Sequence, residues 1–470
     1  MFTSQLSSWF ERKFYFDLKI GISELLPIAV PIFLSQAIDV VMIFCDRYFL
    51  SRLGKEDLAA TLSGGILLFL FSTLISGTLG QITSLVGQYM GAGEKENAVR
   101  TVHQGFLLSL TVGTALAILT GQLAPVIFGL FGHETVLLGK EVEYFSILSY
   151  SIVFLSLRTS FAGFFIGVER TKIVTLATFS ALFVNIPLTY VLVFGKFGFP
   201  MMGISGAAVG TVVSGIFPIL ILGGKFFSAE FRKKYATGIV IHLHIPLLKK
   251  LLRYGLPSGI ETTANVSGFM FFTMVMYSYS SDVAAATTIV LNWDMVCFIP
   301  LLGISQAVSG QVGKYLGEGK KELALRSAYS ALTLGWVYSI FITILYFTQN
   351  TILVELFSPQ EQLQTFETVV YFATRMLQIS CLYFLFDSTY NILGGILKGS
   401  GDTVWPMLVS NVLMWSCAIA VYTVKNIIGL GPLTSWWVLT AMVLTLGILY
   451  WIRFQNGGWL TRLMIRTDTL

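Results

Sequence analysis

Apolar stretches of about twenty residues or more alternate with short polar ones along most of the chain. Twelve can be counted, near residues 24–50, 57–80, 100–121, 143–167, 171–194, 205–223, 254–279, 283–309, 327–348, 367–397, 404–424 and 433–454. As a helix, each is long enough to cross a hydrocarbon core of about 30 Å. The runs are continuous and do not alternate residue by residue, which favours helices over the strands of a membrane barrel. The pattern therefore predicts an all-α, polytopic membrane protein with twelve transmembrane helices.

The pattern also occurs twice. Val86-Gly-Gln-Tyr-Met-Gly-Ala-Gly93 returns as Val312-Gly-Lys-Tyr-Leu-Gly-Glu-Gly319, and the likeness continues to Arg100 and Arg326. The step from 86 to 312 is 226 residues, and it also pairs Pro31 with Pro257, Ala59-Ala60-Thr61 with Ala285-Ala286-Thr287, and Gly77 with Gly303. A second echo aligns Gly167 with Gly399 and Thr171 with Thr403 at a step of 232. Six spans per half is an even number, so both halves enter from the same side as two parallel six-helix repeats. The halves are placed at 1–224 and 254–470, joined by a polar, basic connection at 225–253. That connection is read as a solvated linker that enforces topology, or as a lipid-binding cluster. Duplicated halves made of membrane spans point to a secondary transporter, with its substrate site between the repeats.

Composition agrees: 55% of residues are hydrophobic and 12% charged, against about 25% charged in soluble domains. The net charge of +5 invites a nucleic-acid partner, but the placement of the basic residues excludes it. Twenty-two of the 30 basic residues fall at one set of helix ends and in the central connection; Arg52, Lys55, Lys140, Lys196 and Lys425 fall at the other. The positive-inside rule then puts both termini in the cytoplasm, in a plasma membrane of bacterial or archaeal type. Cys45, Cys297, Cys381 and Cys417 all lie within spans, without a disulfide framework or zinc spacing. No phosphate-binding loop, His pair or nucleophile elbow is visible, so no enzyme activity and no cofactor is expected. Residues 1–20 lack a signal-peptide core and are read as an interfacial helix or a tail. A monomer is expected.

Ionisable groups inside spans cost about 2.5–3.5 kcal/mol each on an insertion scale, so each needs a partner, a watery cavity or neutralisation. In the first span Ser35, Asp39, Met42 and Asp46 follow Pro31 at spacings of three or four and share a face. Pro31 removes a backbone donor there and can kink the helix. A carboxyl in such a place can exchange a proton with water. Asp46 either does so or sits at the outer boundary paired with Arg47 or Arg52. Asp39 is either a second titrating group or the partner of Arg158. Glu261 and Asn265 stand one turn apart in the seventh span, Asp294 lies in the eighth, and Asp387 and Asn391 lie one turn apart in the tenth. Arg375 is the alternative, structural partner of Asp387. Clear mid-span bases are Arg158 and Arg375, against five acids, which favours a cationic guest. Phe154, Phe161, Phe269 and Tyr277 are aromatics that can line a cavity for such a guest. His103 is read as a loop or interface residue.

Three patches carry a family resemblance. They are Asp46-Arg-Tyr-Phe-Leu-Ser-Arg-Leu-Gly54 followed by Asp57-Leu-Ala-Ala60, then Leu85-Val-Gly-Gln-Tyr-Met-Gly-Ala-Gly93, then Gly203-Ile-Ser-Gly-Ala-Ala-Val-Gly-Thr211. In this order they resemble the signatures of the multidrug and toxic compound extrusion (MATE) transporters. The resemblance implies an antiporter that exports cationic or amphipathic organic compounds against protons or sodium ions, by alternating access. A lipid-linked saccharide or peptidoglycan-precursor flippase of the same superfamily is the alternative. The resemblance places Asp46 at the family's ion-coupling position. It places Asp387 where one branch has a cation-binding aspartate, and Asn265 where that branch has a glutamate. Asn185-Ile-Pro-Leu-Thr189 stands where another branch has an Asn-x-x-x-Asp pair, so the second carboxylate is absent here. Pro187 within it should kink or unwind that helix, and Pro257 repeats Pro31 in the seventh.

Overall fold

The computed structural model describes residues 14–130, 133–357 and 366–466. Residues 1–13, most of the segment read as an interfacial helix or tail, lie outside them. Among the described residues the secondary structure is helical, with no strand. The long helices are α1 (Phe14–Ser51), α2 (Lys55–Gly91), α3 (Lys95–Gly129), α4 (Thr135–Gly167), α5 (Thr171–Phe194) and α6 (Gly203–Phe226). They continue as α7 (Ile245–Tyr277), α8 (Ser281–Gly317), α9 (Lys321–Glu355), α10 (Glu367–Ser380 with Phe384–Ser400), α11 (Val404–Ile428) and α12 (Pro432–Gln455). A short helix, Ala229–Tyr235, lies between α6 and α7.

Ten of these are each long and apolar enough to cross a membrane, and α10 qualifies as a pair bent by 56°. The remaining helix, α7, has 33 residues and a length of about 50 Å. Ser258, Glu261, Thr262, Thr263, Asn265 and Ser267 dilute its hydropathy without shortening it. The twelve helices match the twelve apolar runs.

The repeat is visible in the packing. Gly93 and Gly319, which follow α2 and α8, hold φ of 80° and 75°, a left-handed conformation that side chains resist. Two residues earlier the backbones touch. A Cβ on Gly91 would lie 2.1 Å from the carbonyl oxygen of Lys314, and one on Gly317 would lie 2.1 Å from that of Gln88. Gln88 and Lys314 are themselves 226 residues apart, so the crossing has two-fold symmetry in the sequence. Gly167 and Gly399 form a second matched pair, with their Cβ positions 2.9 Å from the Thr83 carbonyl and 2.7 Å from the Ser309 carbonyl. Gly91→Ala and Gly317→Ala should each destabilise by about 1–3 kcal/mol, because backbone rather than a flexible side chain must move. Thermal unfolding in detergent reads this; unchanged midpoints for both would mean that the crossing tolerates a methyl group.

The chain forms two compact units. One comprises 31–263, 313–319 and the described residues from Leu463; the other comprises α1 up to Val30, 264–312 and 320–462. In the first unit a core of Leu50, Ala60, Tyr144, Leu148, Val193 and Ile204 joins α1, α2, α4, α5 and α6. At another level Phe106, Phe161, Phe164 and Phe226 pack ring on ring, with Phe106 and Phe161 centred 4.3 Å apart. Phe161 is thus a core residue. His103 is fully buried beside Phe106 and Phe226, rather than at a loop or interface. In the second unit Trp436 is enclosed by Phe272 and receives an anchor in Ser380, to which its indole N–H donates. Large apolar side chains such as Phe183, Phe341 and Phe347 stand exposed along the helices, as in proteins whose solvent is lipid.

Candidate ion-coupling sites

In the first unit, α1 carries Pro31, Ser35, Asp39 and Asp46 along one face, as their spacing requires. The Pro31 carbonyl accepts hydrogen bonds from Ser35 Oγ (2.9 Å) and Thr175 Oγ1 (2.6 Å). Asp39 is gripped by both terminal nitrogens of Arg158, at 3.0 and 2.8 Å, and Arg158 also donates to Thr178 Oγ1 at 3.1 Å. Such bidentate pairs are the strongest form of this contact.

Asp46 is held differently. It is 7% exposed, and no ion pair reaches it among the described residues. Arg52 turns to the Tyr48 hydroxyl, 3.0 Å away, while Arg47 interacts with Tyr144. Asp46 Oδ2 accepts from Thr211 Oγ1 at 3.0 Å. Its Oδ1 is buried without a hydrogen-bond partner. Asn185 and Thr189 of α5 face the same carboxyl. Asn185 Nδ2 makes only long contacts, to Thr189 Oγ1 (3.4 Å) and Ser214 Oγ (3.5 Å), and its Oδ1 is also buried and unmatched. Two buried oxygens side by side, both lacking a donor, are an expensive arrangement. A proton on Asp46 satisfies both. A cation is the other solution, with Asn185, Thr189 and Thr211 as neutral oxygens around one carboxylate. Helix α5 remains helical through Pro187, whose side chain is exposed; the expected local unwinding is absent.

The second unit gathers its own acids. Asp294 Oδ2 accepts from the Tyr383 hydroxyl at 2.9 Å, and its Oδ1 is buried without a partner. Asp387 accepts from Asn391 Nδ2 at 3.1 Å. The two carboxyls are close enough to interact electrostatically, and both act on Tyr383. Arg375 is directed elsewhere, donating to Gln378 and lying over the Tyr371 ring. Asn265 donates to Ser410 Oγ (3.2 Å) and leaves its own Oδ1 buried and unmatched. Glu261 is buried, but it belongs to the first unit although it lies one turn before Asn265. Helix α7 is continuous through Pro257, as α1 is through Pro31. Phe269 and Tyr277 lie on exposed surface.

Thr211, Tyr144 and Tyr383 complete these sites and were not singled out in the sequence. Thr211 ends the Gly203 motif, which was its only signal. Nothing separates Tyr144 and Tyr383 from the 19 tyrosines of the chain.

A duplicated bundle of twelve membrane helices, with buried acids inside each unit, defines a polytopic membrane transporter. The chain belongs to the MatE family, whose profile matches residues 31–191 and 257–423. The two matched segments begin at Pro31 and Pro257, one repeat step apart. The chain is 25% identical over 448 residues to the "Probable multidrug resistance protein NorM" of Thermotoga maritima, spanning 95% of this chain and 94% of that one. It is 27% identical over 450 residues to the protein of the same description from Burkholderia mallei, spanning 94% and 93%. Among solved structures, a MOP superfamily transporter from Pyrococcus furiosus shares the fold with a TM-score of 0.84 at 18% identity, over 93% of this chain and 96% of that one.

Proposed function

We propose that the protein is a proton-coupled antiporter that exports cationic or amphipathic organic compounds by alternating access, as a monomer in the plasma membrane with both termini in the cytoplasm. The observation that carries the coupling is Asp46: a buried carboxyl with one unmatched oxygen, facing an equally unmatched amide oxygen. Asn185 can serve both charge states by turning its amide. Its Nδ2 donates to the carboxylate, and its Oδ1 accepts from the carboxylic acid. The proton is preferred to sodium because one buried acid suffices for it, whereas sodium wants several well-placed oxygen ligands. The descriptions of the Thermotoga and Burkholderia relatives as multidrug resistance proteins support the substrate class, as does the excess of buried acids over bases.

Purified protein in vesicles loaded with a cationic dye tests the proposal. A proton gradient alone should drive dye transport, and a sodium gradient alone should not. Transport driven by sodium alone would replace the ion. Indifference to both gradients would remove the antiporter.

A further inference from the structure

The first unit contains another buried acid that the coupling site does not use. Glu141 lies near the start of α4 with 1% of its side chain exposed. Its Oε1 accepts from Ser63 Oγ of α2 at 2.5 Å. His133 Nδ1, in the loop before α4, lies 3.0 and 2.9 Å from the two carboxylate oxygens. The imidazole keeps 36% of its surface exposed, so the pair runs from solvent to interior in one contact. One turn further along α4, on the same face, Tyr144 is buried and interacts electrostatically with both Asp46 and Arg47.

The charged groups around Glu141 can be enumerated. Lys140 of α4 is bound to Asp57 of α2 at 2.7 Å, and Lys55 and Glu56 face each other near the start of α2. Glu143 of α4 accepts from Ser205 of α6. The half of α3 at this end, Thr114–Gly129, and the start of α6, Gly203–Ser214, have no titratable side chain. The Lys140–Asp57 pair shows what a purely structural tie between α2 and α4 looks like here: a base that stays charged. The neighbouring tie uses instead the one side chain that changes charge near neutral pH, half in water, on an acid that is wholly buried.

We propose that His133 and Glu141 are the outer port of the proton route to Asp46, an inference that rests on the proton-coupled reading above. Water outside protonates His133, and the imidazolium passes that proton to Glu141. The neutral acid then donates toward Tyr144, whose phenol oxygen takes up the proton as it releases its own toward Asp46. Each step breaks one N–H or O–H bond and forms another, so no further reactant is needed. Glu141 and His133 are positioning and relay groups; neither touches the exported compound.

The test is proton uptake by reconstituted protein, followed with a trapped pH dye, as a function of pH on the His133 side. Glu141→Gln and His133→Ala should slow uptake about tenfold in alkaline medium, the low end for a lost proton-transfer group. Both should approach the wild-type rate in acidic medium, where protons are no longer scarce. Added imidazole should restore His133→Ala. A structural staple would instead slow uptake equally at every pH, with a lowered melting temperature and no rescue, and that result would overturn the port. Asp46→Asn separates the two readings. If it still moves protons with substrate, the coupling site itself is misassigned. If it is inactive while Glu141→Gln keeps the wild-type pH profile, the port alone is wrong.

Discussion

Asp46→Asn should abolish gradient-driven efflux while leaving the protein folded and still able to bind substrate. The change keeps the size of the side chain and fixes it in the uncharged form. Thr211 Oγ1 can still donate to the amide oxygen at the position of Oδ2. The new Nδ2 can donate to Asn185 Oδ1, which now lacks a donor. The variant should therefore be at least as stable as the wild type, since it relieves two unmatched buried oxygens. Transport fails for another reason. A proton gradient can only drive exchange if the charged and neutral forms of the site favour different conformations, and the drive cannot exceed that difference. Each tenfold bias between conformations needs about 1.4 kcal/mol of it, and an amide supplies none. Dye efflux under a proton gradient, with a melting curve and a binding isotherm beside it, reads all three quantities. A fully active variant at normal expression would move the coupling role to Asp39.

That experiment also distinguishes the first unit from the second. Asp294 and Asp387 share Tyr383, and a pair of neighbouring carboxyls titrates as a unit, not as two residues. If the Asp46 variant still couples ions, this pair is the other place where the protein brings acids together.

The sequence made the architecture legible because the features that encode it are local. Continuous apolar runs encode spanning helices, and glycines encode the crossings. Gly91 and Gly317 must be glycine because a carbonyl oxygen occupies the space of a Cβ, so their recurrence 226 residues apart reports a repeated contact. Asp46 and Asp39 stood out because an acid within an apolar run is costly. What remained hidden depends on partners distant in sequence. Thr211 is one of many hydroxyl residues in spans, where Ser and Thr usually satisfy their own helix by bonding the carbonyl one turn back. Thr211 does that also, to Ala207, in addition to reaching Asp46. The bend in α10 falls at Cys381-Leu382-Tyr383, which contains neither glycine nor proline, so no local signal marks it. Glu141 was invisible for the opposite reason. Near a helix start an acid is ordinary, and only the fold shows that His133 and Ser63 enclose it.

Arg158→Met should be the most destabilising single change in the first unit. The guanidinium gives Asp39 both of its close contacts, at 3.0 and 2.8 Å. Removing it leaves a carboxylate within a membrane span without a counter-charge. Breaking a buried pair in this way costs about 3–5 kcal/mol; because Asp39 keeps 30% of its side chain exposed and Arg158 18%, the lower end is expected. The double variant Asp39→Asn/Arg158→Met removes both charges and should regain most of the loss. Asp39→Asn alone should be costly as well, since it strands the arginine. Thermal unfolding of the three variants and the wild type closes the cycle, and transport measured on the same samples decides what Asp39 does. If the double variant is stable and pumps, the pair is structural and coupling rests with Asp46. If it is stable and fails to pump with Asp46 intact, Asp39 takes part in coupling, and Arg158 is the group that holds its charge between turnovers. Simple additivity of the single losses would mean that the two side chains do not stabilise each other, contrary to their geometry.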